Sequence, residues 1–330
     1  TTTSRRCIRY RQGQLKSIHW PHVRINMRIR IRDQCLAEGE WDEMSADILV
    51  VYKKNFEAVH DRSIDSIEKV LQKFVNEQGI RVDMTAREKV RRSDFIGRDL
   101  VIVIGGDGTL TSIAHSVDAE TPVMGVNSHP KEEDKDGSVG FFMGSDTHHF
   151  EEDLVSALEG TAIMNVLPRL QAEIVTTSGN VIRCDPALND LLIANTHQYQ
   201  PSRYRLQRGK GDSAIDTIQT SSGMLFSTYV GKGAWFRHTF DIENQEFLMD
   251  TVQDHYLAGA RELPLGERRE GEHWIWTKQP TTLTSDMHRG YVVSDGWDEY
   301  HFTRGATISV SIDGPPLRLL TFRNRIIEKV

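Results

Sequence analysis

The chain has 330 residues, enough for two ordinary domains, and its 38% hydrophobic and 26% charged residues are typical of a soluble globular protein. Its formal net charge of −7 at pH 7 argues against a protein that binds nucleic acids along its whole length. Three cysteines are too few and too scattered for a disulfide framework or a zinc site, and they indicate a reducing compartment.

The amino-terminal segment is strongly basic, because residues 1–32 contain nine Arg or Lys and no Asp or Glu. This composition fits either the remnant of an organelle transit peptide or a basic surface arm. Apolar and mostly basic residues alternate from Val23 to Ile31, which predicts a strand with one basic face, either an added edge strand or a partner-binding arm. We therefore expect a basic extension over residues 1–45 that binds another protein. The expected location is the mitochondrion, with the cytoplasm as the alternative.

Strands and helices alternate from residue 46 onward. Apolar runs predict strands at 48–52, 99–104 and 122–126, and helical spacing predicts helices at 61–78, 111–117 and 146–158. This order predicts an α/β domain with a parallel sheet over residues 46–165. The acidic stretch between Asn127 and Gly140 is expected to be a solvated loop.

The pattern changes after Gly160 to a series of short strands. They are predicted at 169–176, 181–184, 203–207, 216–220, 223–228, 290–294, 306–312 and 317–322. These strands predict a β-rich domain over residues 166–330, and the polar stretch 241–280 is interpreted as an insertion or lid. No apolar run approaches the roughly 18 residues needed to cross a bilayer, so we expect no membrane span.

A phosphate-binding loop is predicted where the strand at 99–104 ends. Gly105-Gly106 is followed by Asp107-Gly108-Thr109 and then by a helix. Glycines let the backbone approach an anion, and the free N–H groups at a helix start face it. Asp107 suits such a site if it orients or deprotonates an attacking hydroxyl, or holds a metal ion. An ordinary Gly-Asp-Gly turn is the structural alternative, and the pattern is neither the lysine-bearing P-loop nor the dinucleotide fingerprint.

Two further clusters carry candidate ligand-binding groups. Asn189 and Asp190 lie beside an apolar run, where an amide and a carboxylate together can bind a ribose, although turn chemistry explains them equally well. In the third cluster a strand leads into Gly231-Lys-Gly-Ala, and Trp235 is available to stack on a flat ligand. A Gly-rich turn with a core tryptophan is the alternative there.

Together these motifs resemble the NAD kinase family over residues 46–325. The most specific element is Gly-Gly-Asp-Gly-Thr-Leu from Gly105, although its core also occurs in diacylglycerol kinases, sphingosine kinases and phosphofructokinases. The order of the remaining motifs narrows the choice, because Gly125-Val-Asn, Gly140-Phe-Phe and the Asn189-Asp190 pair follow as in NAD kinases. The segment from Thr228 to Trp235 lies where most members have Thr-Pro-Thr-Gly-Ser-Thr-Ala-Tyr.

Within the family the chain is similar to the mitochondrial-type branch. The similarity rests on the Gly…Ala-Trp form of the third motif, preceded by Ser221-Ser222-Gly223, and on the segments that begin at Val292 and Gly305. Lys232 and Gly233 depart from the usual Ser-Thr of that motif. Ser222 replaces an Asp of many members, which removes a possible ligand to NAD. Lys232 is expected either to reach a phosphate or, as we favour, to point to solvent.

The resemblance implies an NAD kinase/diacylglycerol kinase-like fold, in which an α/β domain and a β-rich NAD-binding domain enclose the active site. ATP, with a divalent metal taken to be Mg²⁺, would give its γ-phosphate to the 2′-hydroxyl of the adenosine ribose of NAD(H), producing NADP(H). Asp107 is implied as the catalytic residue. The implied NAD-binding residues are Asp107, Gly108, Asn189, Asp190, Gly233, Ala234 and Trp235. The implied ATP phosphate loop consists of Gly105, Gly106, Thr109 and Asn127. We also expect a homodimer.

Two other functions stay open at the level of sequence. A lipid kinase shares the Gly-Gly-Asp-Gly motif, although the later motifs follow the NAD kinase order. A kinase-derived accessory subunit of a larger assembly is suggested by the basic arm and by Lys232-Gly233, whereas the intact Asp107, Asn189 and Asp190 argue against it.

Overall fold

The computed structural model describes residues 46–54, 58–131, 135–209, 214–242, 245–263 and 274–326. The predicted basic extension and its strand at 23–31 lie outside these residues. None of the described helices is both long enough and apolar enough to cross a membrane.

The first half of the described chain is an α/β unit. Its elements in order are β1 Asp47–Tyr52, α1 Ala58–Gln78, β2 Arg81–Ala86, β3 Leu100–Gly105, α2 Asp107–Ala114, β4 Pro122–Asn127, β5 Ser145–Asp146 and α3 Phe150–Leu158. Strands β4, β3, β1 and β2 pair in that order, and all of these pairings are parallel. The predicted parallel sheet is therefore present, with one additional strand, β2.

Continuous apolar runs explain the central strands of this sheet. Alternate residues of β1 and β3 pack on opposite faces: Leu49 and Val103 belong to one core cluster, and Val50 and Ile102 to the other. Helices α1 and α3 cover the second face, whereas α2 packs on the first. Strands buried on both faces are mostly apolar along their length, as in β3 and in β4 up to Val126.

Two helices begin at positions that differ from the prediction. Helix α2 begins at Asp107 itself, so the Gly-Gly loop leads directly into the helix. Helix α3 begins at Phe150 and not at Asp146. The Asp146 carboxylate accepts hydrogen bonds from the backbone N–H groups of His148 and His149, at 2.8 and 3.0 Å, and thereby holds that segment in a turn.

The second half is rich in antiparallel strands. They are β6 Ile163–Val175, β7 Val181–Arg183, β8 Asp190–Asn195, β9 Ser202–Arg208, β10 Ile215–Ser221, β11 Met224–Ser227, β12 Tyr256–Ala260, β13 Trp274–Thr277, β14 Thr281–Ser285, β15 Gly290–Ser294, β16 Glu299–His301 and β17 Thr307–Thr321; the short helix α4 spans Phe236–Thr239. Six of the strands form a separate antiparallel sheet in the order β13-β12-β11-β8-β15-β16. A large core cluster combines side chains of this sheet with those of β6, β9, β14 and β17.

The final strand joins the two halves. Strand β17 pairs antiparallel with β6 and β14, and its residues Arg318 to Leu320 pair parallel with β4. The separate strands predicted at 306–312 and 317–322 are thus one strand, with register shifts on either side of Gly314. The predicted domain boundary between residues 165 and 166 falls inside β6, which runs through both halves.

The segment 241–280, interpreted from sequence as an insertion or lid, contributes in part to the core. Strand β12 pairs with β11, and Tyr256 and Leu257 of β12 are fully buried. Strand β13 then pairs with β12 at the edge of the six-stranded sheet. These two strands could not be predicted from the sequence, because the segment is mostly polar and its apolar runs are only four or five residues long.

Candidate active site

A cleft opens where the parallel strands end, and we refer to it as the carboxyl-edge cleft. Lys53 follows β1, Arg87 follows β2, Gly105 ends β3 and His129 lies shortly after β4. The carboxyl ends of parallel strands meet at one edge of a sheet, and open α/β sheets bind ligands there. The cleft has a volume of about 340 Å³ and is lined by Lys53, His60, Arg87, Gly105, Gly106, Asp107, Gly108, Thr109, His129, Asp136, Gly137, Ser138 and Trp297.

The two glycines at the end of β3 are required by close packing. A Cβ atom on Gly105 would lie 2.5 Å from the Thr109 hydroxyl, and one on Gly106 would lie 2.6 Å from the Ser138 hydroxyl. Thr109 is buried beneath the loop, whereas Gly108 is exposed and has open space around it. The loop therefore presents its backbone, and not side chains, to the cleft.

Asp107 is the first residue of α2, and two backbone groups fix its carboxylate. One oxygen accepts the N–H of Phe141 at 2.9 Å, and the other accepts the N–H of Phe142 at 2.8 Å. A carboxylate has about four lone-pair sites, so positions remain on both oxygens for a further donor. The side chain is half-buried in the wall of the carboxyl-edge cleft, which makes it an oriented hydrogen-bond acceptor.

Cationic and imidazole side chains surround this carboxylate. Lys53 and Arg87 are half-buried in the cleft wall, and the Arg87 guanidinium lies 5.5 Å from the centre of the Trp297 ring. His60 is buried, its Nδ1 lies 2.7 Å from the Ser128 hydroxyl, and its ring meets that of His129 edge-on at 5.4 Å. Partly buried cations beside free backbone N–H groups make a site for polyvalent anions.

The two ends of the loop from Asn127 to Gly140 are built into the cleft, whereas Lys131, Lys135 and Asp136 of its charged run are exposed, as expected for a solvated loop. The Asn127 side chain donates to the Ser138 carbonyl at 3.2 Å and accepts the His129 N–H at 3.2 Å. Ser138 in turn donates its backbone N–H to the His129 carbonyl at 2.8 Å. The role of Asn127 in the structure is thus to fold this loop over the glycine turn. Residues 132–134 of the acidic run lie outside the described part of the chain.

A second carboxylate organises the Asn189-Asp190 pair. The Asp295 side chain accepts the N–H groups of Leu188, Asn189 and Asp190 at 2.7, 2.7 and 3.0 Å. Asp295 itself has a positive φ of 51°, a conformation that aspartate tolerates better than most residues. Burial raises the pKa of Asp295 to about 6, against the effect of those three donors.

The Asp190 carboxyl is buried at the start of β8. Burial and, to a smaller extent, the neighbouring Asp295 charge raise its pKa to about 7. Among the described residues, none donates a hydrogen bond to this carboxyl. A buried carboxyl without a donor is a group that a ligand hydroxyl or amide would stabilise.

The third cluster packs directly on the second. The backbone N–H of Thr228 donates to the Asn189 carbonyl at 3.0 Å, and the Thr228 hydroxyl donates to the Leu188 carbonyl at 2.6 Å. A Cβ atom on Gly231 would lie 2.3 Å from the Asn189 backbone, so only glycine fits there. The structure therefore brings together the two motifs that the sequence places about 40 residues apart.

The remaining residues of the third cluster lie at the surface. Gly233 and Ala234 are exposed, and Trp235 is half-buried with the Arg261 guanidinium 5.0 Å from its ring centre. The expectation that Lys232 points to solvent is wrong: its ammonium lies 3.9 Å above the Tyr229 ring, and burial lowers its pKa to about 8. Ser222 donates to the Glu262 carboxylate at 2.5 Å.

The predicted site residues fall into two groups. Gly105, Gly106, Asp107, Gly108 and Thr109 line the carboxyl-edge cleft, whereas Asn189, Asp190 and Gly233 to Trp235 do not appear among its described lining residues. One core cluster connects the groups, because it contains Leu110 and Phe142 from the first side and Leu188, Tyr229 and Val230 from the second. Trp297 extends from the β-rich half to the rim of the cleft.

Sequence reasoning missed several residues of this region. Lys53, Arg87 and His129 each follow a parallel strand at once or within two residues, and that position was the available signal. It was not used for Arg87 because β2 is an exposed edge strand without an apolar run. Asp295 and the buried Arg169, whose guanidinium donates to the Ala114 and Val117 carbonyls, are positioned by long-range contacts that leave no local pattern.

The chain is similar in sequence to NAD kinases and to an NADH kinase. The family model for the ATP-NAD kinase N-terminal domain matches residues 43–132, which include β1 to β4 and the glycine loop. A rice protein (Oryza sativa subsp. japonica) described as "Probable NADH kinase" is 26% identical over 294 residues, covering 81% of this chain and 82% of that protein. An NAD kinase of Cellvibrio japonicus is 27% identical over 193 residues, covering 53% of this chain and 60% of that protein.

Solved structures share the fold. An NAD kinase from Archaeoglobus fulgidus, crystallised with ATP, superposes with a TM-score of 0.62 at 16% identity, covering 86% of this chain and 96% of that one. Yeast NADH kinase in complex with NADH superposes with a TM-score of 0.65 at 12% identity, covering 88% of this chain and 87% of that one. The predicted α/β and β-rich fold is confirmed. The domain match and the sequence relatives support membership of the NAD kinase family, and the solved structures share the fold of this chain.

Proposed function

We propose that this chain is an NAD kinase, which transfers the γ-phosphoryl group of ATP to the 2′-hydroxyl of the adenosine ribose of NAD(H) and produces NADP(H). The observation that carries the proposal is the Asp107 carboxylate, fixed by two backbone N–H groups in the wall of a cationic cleft. Phosphoryl transfer requires mainly positioning of the nucleophile and stabilisation of charge. Asp107 supplies the first, because it can accept a hydrogen bond from the attacking hydroxyl and take up its proton.

The cations of the cleft account for the phosphate donor. The triphosphate enters as its magnesium complex, and Asp107 and Asp136 are the cleft carboxylates able to face that ion. Lys53 and Arg87 stabilise the negative charge that the transferring group carries, and the backbone of the glycine loop adds N–H donors. Among the described residues the cleft thus combines an acceptor for the hydroxyl with donors for the phosphates.

The second and third clusters account for the dinucleotide. The Asp190 carboxyl is buried without a hydrogen-bond donor among the described residues, and Asn189 is held beside it by Asp295. A ribose diol or a carboxamide supplies the donors that these groups require. Trp235 offers an aromatic surface for a base, with Gly233 and Ala234 leaving the approach open.

The decisive test is product formation by the purified chain. We expect MgATP with NAD or NADH to yield NADP or NADPH, detected by a coupled dehydrogenase assay specific for the phosphorylated dinucleotide. A parallel reaction offers diacylglycerol in mixed micelles and monitors phosphorylated lipid. Absence of NADP(H) from a folded chain across several divalent metals would refute the proposal, and transfer to the lipid alone would assign the chain to lipid phosphorylation.

We further propose a homodimer and a mitochondrial location as part of the mitochondrial-type branch. The support for a homodimer is β10, an edge strand of the large sheet whose Ile215 and Ile218 are 42% and 79% exposed. The support for the location, and for protein binding by the arm, is the Arg-rich composition of residues 1–32. Light scattering of the purified chain and imaging of a tagged full-length protein test these proposals separately.

A further inference from the structure

Three potential metal ligands converge at the junction of the two halves. His115 directly follows α2, Asp185 lies two residues after β7, and Asp298 lies in the turn between β15 and β16. One ligand atom from each residue lies within 4.8 Å of the ligand atoms of the other two. Residues so distant in sequence come together only through the packing of the α/β half against the β-rich half.

The state of Asp185 is the second observation that points to a ligand. This residue is only 6% exposed, and one carboxylate oxygen accepts a hydrogen bond from the largely exposed guanidinium of Arg92. The other oxygen, Oδ2, is buried and accepts no hydrogen bond of normal geometry from the described residues, although the Tyr300 hydroxyl lies beside the carboxylate. A buried carboxylate oxygen without a donor is destabilising, and a bound cation is one of the few groups that offsets this.

The other two residues have the properties that a ligand needs. His115 is half-buried, and its ring offers a nitrogen atom within reach of the two carboxylates. No described residue makes a hydrogen bond to that ring. Asp298 is exposed, so the third side of the cluster opens to solvent and leaves room for water ligands.

We propose that His115, Asp185 and Asp298 form a binding site for a divalent transition metal, with Zn²⁺ as the best match. One imidazole nitrogen and two carboxylate oxygens are ligands that Zn²⁺ accepts in a four-coordinate site completed by water. Mg²⁺ prefers an all-oxygen octahedral shell and is disfavoured by the imidazole. The site is therefore distinct in chemistry from the magnesium that accompanies ATP.

Bound metal at this position joins the end of α2 to the β-rich half. Asp107 begins the same helix, so the site fixes the far end of the element that carries the glycine loop. Arg92 competes for Asp185, because its guanidinium already neutralises one of the two carboxylates. Removal of Arg92 should strengthen metal binding, an effect that a merely structural ion pair would not produce.

Two titrations of the full chain test the proposal. In the first, Co²⁺ is added and its visible absorption is recorded. In the second, Zn²⁺ binding is measured by calorimetry. We expect one Zn²⁺ or Co²⁺ per chain at this site, weakened by at least about tenfold in His115→Ala and in Asp298→Asn. Arg92→Gln should bind more tightly than the wild type. His149→Ala is the matched control, since His149 also contacts an aspartate, at 2.9 Å, but lies elsewhere on the surface.

The outcomes separate this site from adventitious binding by other histidines. Loss of binding in His115→Ala and Asp298→Asn but not in His149→Ala supports the site. Equal binding in all variants, no binding by the wild type, or weaker binding in Arg92→Gln would overturn it. Circular dichroism of each variant verifies folding, and the two exposed positions, Arg92 and Asp298, still decide the question if His115→Ala fails to fold.

Discussion

The substitution Asp107→Asn probes the carboxylate at the centre of the proposed reaction. An asparagine has nearly the same shape, but only one of its two terminal atoms accepts hydrogen bonds. In the structure both carboxylate oxygens accept a backbone N–H, from Phe141 and Phe142. The variant therefore keeps one of these hydrogen bonds and places its amide group against the second donor. It also loses the group that takes the proton of the attacking hydroxyl.

The expected magnitudes follow from these two losses. Losing one hydrogen bond to a charged group should lower the free energy of unfolding by about 1.5–3 kcal/mol. Loss of a positioned general base should lower kcat by about 10²–10⁴-fold, equivalent to about 2.7–5.4 kcal/mol of barrier. Binding of MgATP should change much less, because the role of Asp107 belongs to the transition state.

Steady-state formation of NADP(H) gives kcat, calorimetry gives nucleotide binding, and urea unfolding gives stability. Asp118→Asn is a matched control. Asp118 also accepts two backbone N–H groups, at 2.9 and 2.7 Å, but both bind the same carboxylate oxygen, and asparagine keeps one such acceptor. Asp118 does not line the carboxyl-edge cleft. This control should keep its kcat. A folded Asp107→Asn protein with kcat within tenfold of the wild type would refute the assigned role.

Four further outcomes are expected. Arg87→Met should raise KM for MgATP by about ten- to a hundredfold, because a charge-assisted contact is lost. Lys89→Met is the control, because Lys89 is exposed and its loss should leave KM unchanged. Steady-state kinetics of both variants measure these KM values. Trp235→Ala should raise KM for NAD roughly three- to tenfold with little change in kcat. The pKa of Asp190 is raised from 3.8 to about 7, so the folded chain binds this proton more tightly than the unfolded chain does. The free energy of unfolding should therefore fall as the pH rises from about 4 to 7. Urea unfolding midpoints measured against pH should change less in Asp190→Asn than in the wild type. Arg169→Met should unfold at a markedly lower urea concentration than the wild type. Each buried carbonyl that loses its Arg169 donor, those of Ala114 and Val117, should lower the free energy of unfolding by about 1–3 kcal/mol.

The fold could be predicted largely because its central strands are continuous apolar runs. Strands β1, β3 and β4 are buried on both faces, and the apolar residues of each strand follow one another with polar residues only at the strand ends. Edge strands gave a weaker signal. Strand β2 alternates exposed and partly covered residues, and β13 is only four residues long, so neither differs locally from a loop.

The glycine loop could be predicted because its requirements are local. Gly105 and Gly106 are fixed by close contacts with Thr109 and Ser138, and Asp107 follows in sequence. The hydrogen bonds that hold the Asn189-Asp190 segment could not be predicted in this way. Their acceptor, Asp295, lies more than 100 residues further along the chain than the N–H groups it binds. Lys232 shows the same limit: its position over Tyr229 follows from a tight turn that the glycines alone do not specify.

The pairing of β17 with β4 has a consequence for how the protein is made. The glycine loop and β1 to β4 are synthesised before β17, and β5 pairs with only the last two residues of β4, whereas Pro122 to Met124 pair with residues 318–320 of β17. Until those residues leave the ribosome, the nascent sheet has an unpaired edge that a chaperone or another chain can occupy. Completion of the α/β sheet is thereby coupled to synthesis of β17, and a product that terminates before β17 would lack a finished sheet.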